Sequence, residues 1–309
     1  MFKKILLLTL ITVPSYLLAQ QMLTISGDGA AKSNVKLKDG QAVIGQVLYD
    51  FSYVADTTQP DKPQKEVMAL DFGNDYGRFY SQTRSISDSI SNVEMARQLK
   101  EQEGSANLNL TMPAREGSAD VYFTDKKTET VSEQKNFVGK TYFISGNKHT
   151  IDWDIQDSTK QIGNYTCQKA VGTSRGRQYI VWFTTDLPYS FGPRRLNGLP
   201  GLILEAYDVT DRIVYHFKQY NTVSGKEIGI PDNAIAATEK EYDDMQTAFK
   251  ANPSAFYNST RPASPPSGAG GGDISKVKSV NISYAGSASR NSKPSSKKVV
   301  NFPIDLTKD

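Results

Sequence analysis

Apolar and polar residues alternate over residues 43–54, with Val47, Tyr49, Phe51 and Tyr53 on one face, and this period of two predicts a half-buried strand. Residues 66–72 and 78–81 read as two further short strands, and the Gly, Asn and Asp residues at 71–77 predict a hairpin between them. The strand signal returns at residues 121–124, 141–145, 149–155, 165–171, 179–184, 202–207 and 213–217. Two stretches have a helical period instead. Residues 85–103 open on the capping box Ser85-Ile86-Ser87-Asp88, place Ile86, Ile90 and Val93 on one face with Leu99 fitting less well, and close at Gly104. Residues 238–250 open on Thr238 and Glu241, align Tyr242, Met245 and Phe249, and end before Pro253. Short strands at regular spacing with turn signals between them predict a mainly β (α+β) fold: a curved antiparallel sheet or partial barrel with one or two packed helices.

The ends of the chain differ from this middle. Lys3 and Lys4 precede a short apolar run at residues 5–13, and Ala19 offers a small residue for cleavage, so residues 1–20 read as a signal peptide. Pro14 and Ser15 interrupt the run, and no later stretch is apolar for long enough to span a membrane as a helix. The expected product is exported, to the periplasm or beyond the cell. Residues 21–40 read as a loose lead-in, residues 21–262 as the β-rich domain, and residues 263–309 as a Gly/Pro/Ser-rich linker (263–272) followed by a basic tail. Within the tail, residues 299–306 retain enough apolar character to return as a short edge strand.

Composition narrows the chemistry. Among 309 residues the net charge is +3; seven basic and three acidic side chains lie in 263–309 and two lysines in the leader, which leaves residues 22–262 at −3. That balance gives no basis for nucleic-acid binding. The single cysteine, Cys167, excludes an internal disulfide and a cysteine-based metal centre, and its alternating surroundings predict a buried strand position. The sequence lacks a Gly-x-Ser-x-Gly elbow, a phosphate-binding glycine loop and a His-Glu-x-x-His motif, so no catalytic residue, metal or cofactor is assigned. The two histidines, His149 and His216, read as structural or surface residues. The alternative is a hydrolase or metal-dependent enzyme built on them with acids such as Asp152 and Asp154.

Residues 151–208 concentrate the unusual features. Both tryptophans, Trp153 and Trp182, lie there, with Tyr165-Thr166-Cys167-Gln168-Lys169-Ala170, Arg175-Gly176-Arg177, Thr185-Asp186-Leu187-Pro188, Gly192-Pro193 and the hexapeptide Gly198-Leu199-Pro200-Gly201-Leu202-Ile203. In composition and order these elements resemble the GLPGLI family of exported Bacteroidetes proteins, over residues 45–260 and most closely over 149–208. The resemblance implies export and a β-rich fold, and no established activity. Physically, Gly198, Pro200 and Gly201 suit a turn that seats a buried strand, or else a ligand contact. Arg175 and Arg177 suit a carboxylate or phosphate clamp, or the charged tip of a hairpin.

The expected function is therefore that of a non-enzymatic envelope protein, a monomer, binding an apolar or amphiphilic ligand or an outer-membrane partner. Trp153, Arg175, Arg177 and Trp182 are the candidate binding residues.

Overall fold

The structure, a computed structural model, describes residues 36–252, 279–285 and 299–307. The expected leader and the 263–272 linker lie outside the described residues. Among those described, no helix is long and apolar enough to cross a membrane.

Twelve strands form one mixed sheet that is not closed into a barrel. Its strands are β2 (Gly45–Tyr53), β3 (Gln64–Phe72), β4 (Tyr76–Ser81), β6 (Val121–Asp125), β7 (Thr130–Phe137), β8 (Lys140–Ile144), β9 (Asp154–Ile162), β10 (Tyr165–Ser174), β11 (Arg177–Thr184), β12 (Leu202–Asp208), β13 (Ile213–Thr222) and β15 (Ile235–Ala237). They lie in the order β15-β8-β7-β6-β4-β3-β2-β13-β12-β11-β10-β9, all antiparallel except the β15–β8 pair. A two-stranded ribbon pairs β1 (Leu37–Ala42) with β14 (Glu227–Pro231). A second pairs β5 (Asn107–Met112) with β16 (Ser279–Tyr284) in parallel.

The period-two pattern builds the core. Val47, Tyr49, Phe51 and Tyr53 of β2 face the same side as Leu70 and Phe72 of β3, Ile213 and Tyr215 of β13, and Val181 and Phe183 of β11, and all are buried. Onto this face folds the long connection between β11 and β12, which places Phe191, Leu196 and Leu199 in the same core. Burying side chains of this size contributes about 1.5–3 kcal/mol each. On the opposite face Asp71 of β3 is fully buried, with Lys226 at 2.6 Å and the Gln46 amide at 2.7 Å supplying the partners a buried carboxylate requires.

Several expectations need correction. The first helix, α1, spans Gln82–Glu101 and is capped by Ser81, whose hydroxyl accepts from the Arg84 N–H; Ser85 lies inside it. Its expected apolar face is solvent-exposed, with Ile86, Ile90 and Val93 at 52, 56 and 69 %. The helix docks through amides instead. The Gln98 side chain pairs with both the N–H and the C=O of Thr111, and Gln102 does the same with Asn109, so α1 borders β5 much as a further strand would.

The end of the expected lead-in, residues 37–40, forms a strand with Gln41 and Ala42 because the β14 backbone is available to pair with it. Strand β9 begins at Asp154 rather than at residue 149, and polar β7 was absent from the expected set. Neither stretch shows the alternation that makes a strand legible. The second helix, α2 (Glu239–Ala251), has the expected box: Thr238 accepts from the Glu241 N–H at 3.2 Å, and Glu241 accepts from the Thr238 N–H at 2.7 Å. Residues 299–307 adopt no strand. They dock by backbone bonds to turns rather than to a strand edge, Asn301 and Phe302 to the Ala55 carbonyl and Leu306 to that of Arg175, in a segment interrupted by Pro303.

Candidate functional site

The cavity of interest, about 220 Å³, opens where α2 meets the β7–β8 hairpin. Helix α2 is fixed there by Tyr242, which is buried and makes edge contacts with Tyr142 (5.7 Å) and Phe137 (6.0 Å). Alternate residues of β7 then face the cavity: Val131, Glu133 and Lys135. Ile144 and the loop after β8 close one side, Thr238–Lys240 another, and Arg175 and Arg195 the third. The lining thus joins an apolar part (Val131, Ile144 and Tyr242) to a charged part with four cations (Lys135, Arg175, Arg195, Lys240) and two carboxylates (Glu133, Glu239).

Glu133 organises the cations. One of its oxygens meets Arg195 at 2.5 Å and the other meets Lys135 at 2.8 Å. Burial alone would raise the Glu133 pKa, but Arg195, Lys135 and Arg194 outweigh it and hold the carboxyl at about 2. Lys135 also stands 5.4 Å over the Tyr242 ring, and Arg195 stands 5.2 Å over that of Tyr122.

Behind the cavity lies a cluster of arginines and tyrosines. Arg194 stands 4.5 Å over Tyr122 and donates to Asp305 at 2.8 Å, and Asp305 also lies 3.7 Å from the Arg195 Nε. Arg177 is buried against fully buried Asp208 at 3.4 Å. Asp208 in turn accepts the N–H groups of Arg212 and Ile213 and the Thr210 hydroxyl, which fixes the β12–β13 turn. Desolvation raises the pKa of Tyr122, Tyr179 and Tyr215 in this cluster, so all three remain neutral hydroxyls at physiological pH.

The sequence-derived candidates divide between these places. Arg175, at the β10–β11 turn, lines the cavity and donates to the Thr307 carbonyl. Arg177, two residues on, points into the buried cluster and donates to the carbonyls of Pro303 and Ile304. Trp153 is partly buried, and its indole N–H donates to the Asn197 carbonyl at 2.8 Å. Trp182 stands on the other face of β11, with Lys160 4.5 Å over its ring and its N–H directed to the Tyr207 hydroxyl. The histidines lie on opposite faces: His149 meets the Ser174 hydroxyl at 3.1 Å on the core face, whereas His216 projects outward, 3.5 Å from Glu205. Among the described residues no group of three or more His, Cys, Asp or Glu is placed to hold a metal. Cys167 is fully buried, and desolvation raises its thiol pKa to about 11.

The motif residues have structural positions. Leu199, Leu202 and Ile203 are buried, and the Ile203 carbonyl accepts the Tyr49 hydroxyl at 2.7 Å. Gly198 takes φ +94°, which favours glycine. At Gly201 a Cβ would stand 2.0 Å from the Thr184 carbonyl oxygen, so only glycine allows the two backbones this close. Gly192 and Pro193 are buried in the same β11–β12 connection.

Residues 173–205 match the family described as "Protein of unknown function (Porph_ging)". This Porph_ging segment runs from the β10–β11 turn through the hexapeptide into β12, and it agrees with the resemblance to the GLPGLI family. It contributes Arg175 and Arg195 to the cavity and Arg177 and Arg194 to the cluster behind it. No curated protein matches the chain. Among solved structures, two of PNGF-II, in the P21 and C2 space groups, are similar at 16 % and 17 % identity with TM-scores of 0.45 and 0.44. Each alignment covers 66 % of this chain, and 33 % and 32 % of the PNGF-II chains, so this chain spans about a third of their length.

The β7 wall, Arg195 and Asp305 were absent from the sequence-derived candidates. Glu133 and Lys135 carried one available signal, a charged pair at i, i+2 that shares one strand face. Arg195 carried none, because its position depends on how the β11–β12 connection folds back.

Proposed function

We propose that this chain is an exported, non-enzymatic envelope protein that binds a small amphiphilic acid, with the sheet curved around the β11–β12 connection and the ligand held in the α2 cavity. The observation that carries this reading is the composition of the cavity wall, Val131, Ile144 and Tyr242 beside Lys135, Arg175, Arg195 and Lys240, four cations that outnumber the two lining carboxylates Glu133 and Glu239. A wall with one apolar and one cationic part suits a short acyl or aryl group ending in a carboxylate. At about 220 Å³ the cavity lies below the usual range of drug-sized sites, which limits the ligand to a small acid or to the head end of a longer one.

Calorimetric titration with octanoate and with octanol tests this reading. The acid is expected to bind and the alcohol to bind at least about tenfold more weakly, one charge-assisted contact being worth about 1.5–3 kcal/mol. The Ile144→Arg variant should abolish binding of the acid by filling the apolar part. Equal affinity for acid and alcohol, or binding unaffected at Ile144→Arg, would place the ligand elsewhere.

A further inference from the structure

The segment Asn301–Thr307 is held by its backbone along nearly its whole length. The Asn301 and Phe302 N–H groups donate to the Ala55 carbonyl, and those of Leu306 and Thr307 donate to the Arg175 carbonyl. The carbonyl of Phe302 accepts from the Tyr53 hydroxyl, those of Pro303 and Ile304 from Arg177, and that of Thr307 from Arg175. Side chains are engaged as well: the Asn301 amide oxygen accepts from the Thr57 N–H at 2.9 Å, and Ile304 packs against the core. The Phe302 ring lies under the guanidinium groups of Arg177 and Arg212, at 4.1 and 5.0 Å, and the Asp305 carboxylate meets Arg194 at 2.8 Å.

This is the contact set of a bound peptide: main-chain bonds for affinity, with an aromatic and an acidic side chain for order. Every receptor residue, from Tyr53 and Ala55 through Arg175, Arg177 and Arg194 to Arg212, comes from the sheet or its connections, and none from the neighbouring sequence. Thirteen residues separate Ala285 from Val299 in the sequence.

We propose that this groove is a peptide-docking site for an extended segment with the order aromatic–Pro–aliphatic–acid. Residues 301–307 fill it within the chain, and a partner that presents a segment of the same chemistry displaces them. The order is set by geometry: the aromatic side chain must reach Arg177 and Arg212, and the acid three positions later must reach Arg194. The proposal does not depend on the cavity's ligand.

The test uses the full chain with a protease site inserted between Ser295 and Ser296, cut after folding. The cut protein is incubated with a labelled peptide of residues 299–309 and followed by fluorescence anisotropy and native mass spectrometry. The expected result is replacement of the cut fragment by the labelled peptide. A peptide carrying Phe302→Ala and Asp305→Lys should compete at least about tenfold less well, since it loses the cation–π and charge-assisted contacts. Circular dichroism of the cut protein should remain that of the intact chain. Three outcomes would overturn the proposal: a fragment that never exchanges, a fragment that leaves without replacement, or equal competition by the substituted peptide.

Discussion

Replacing each glycine of the hexapeptide by alanine tests whether that motif is structural, because the two positions carry different constraints. At Gly201 an added Cβ would lie 2.0 Å from the Thr184 oxygen, 2.6 Å from its carbonyl carbon and 3.0 Å from the Thr185 nitrogen. A carbon–oxygen contact of about 3.3 Å is the closest commonly tolerated, so the strand ends must separate by more than about 1 Å. Those atoms are backbone, and Thr184 is paired to Leu202, so the separation also strains the β11–β12 ladder. The expected cost is about 3 kcal/mol or more, the upper part of the overpacking range. At Gly198 the added carbon meets nothing nearer than the Trp153 indole nitrogen at 3.8 Å, and only the φ of +94° opposes it. That costs about 1–2 kcal/mol. For a chain of this size 1 kcal/mol moves Tm by about 2–4 °C. Thermal unfolding followed by circular dichroism should therefore show Gly201→Ala losing about 6–12 °C and Gly198→Ala clearly less. Equal losses, or a Gly201→Ala protein as stable as the parent, would refute the close-approach argument.

Acid should weaken the fold through Glu133. Its pKa falls from 4.5 in the unfolded chain to about 2 when folded, so the stabilisation is fully present above about pH 4.5 and is lost as pH falls toward 2. The full contribution is on the order of 3 kcal/mol, and urea titrations across pH 2–6 should show an acid limb that flattens in Glu133→Gln. Cys167, buried with its pKa raised to about 11, should resist a thiol reagent at pH 8 in the folded protein and react once urea unfolds it. In α1, Gln98→Ala should cost about 1–2 kcal/mol by removing the bonds to Thr111, whereas Ile90→Ser, on the exposed face, should stay within about 0.5 kcal/mol; chemical denaturation of the two variants checks both.

Legibility in the sequence followed the origin of each signal. Strands whose alternate residues enter the core, β2 and β11 above all, were plain because burial on one face imposes a period of two on composition. Strand β7 was not plain, because its cavity-facing positions include Glu133 and Lys135, half-buried charges that pair with each other and pack against Arg195 and Tyr242 rather than against aliphatic side chains. Helix α2 was readable to its cap, since its box is local. Helix α1 was found but turned the wrong way: Gln98 and Gln102, polar residues, make its contacts, and hydrophobic periodicity does not register them. The site suffered most. Arg175 and Arg177 were singled out two residues apart, yet a positive φ at Arg175 and the Gly176 turn send them to the cavity and to the buried cluster respectively. Their partners, Asp208 and the Pro303 and Ile304 carbonyls for Arg177 and the Thr307 carbonyl for Arg175, lie between 31 and 132 residues away, beyond any local pattern.

The most direct measurement on the central claim is native mass spectrometry of the protein purified from its own cells without detergent. The account predicts a bound acid of small mass, present on the parent protein and missing from Ile144→Arg. A clean apo mass for both, under conditions that preserve a titrated octanoate complex, would contradict it.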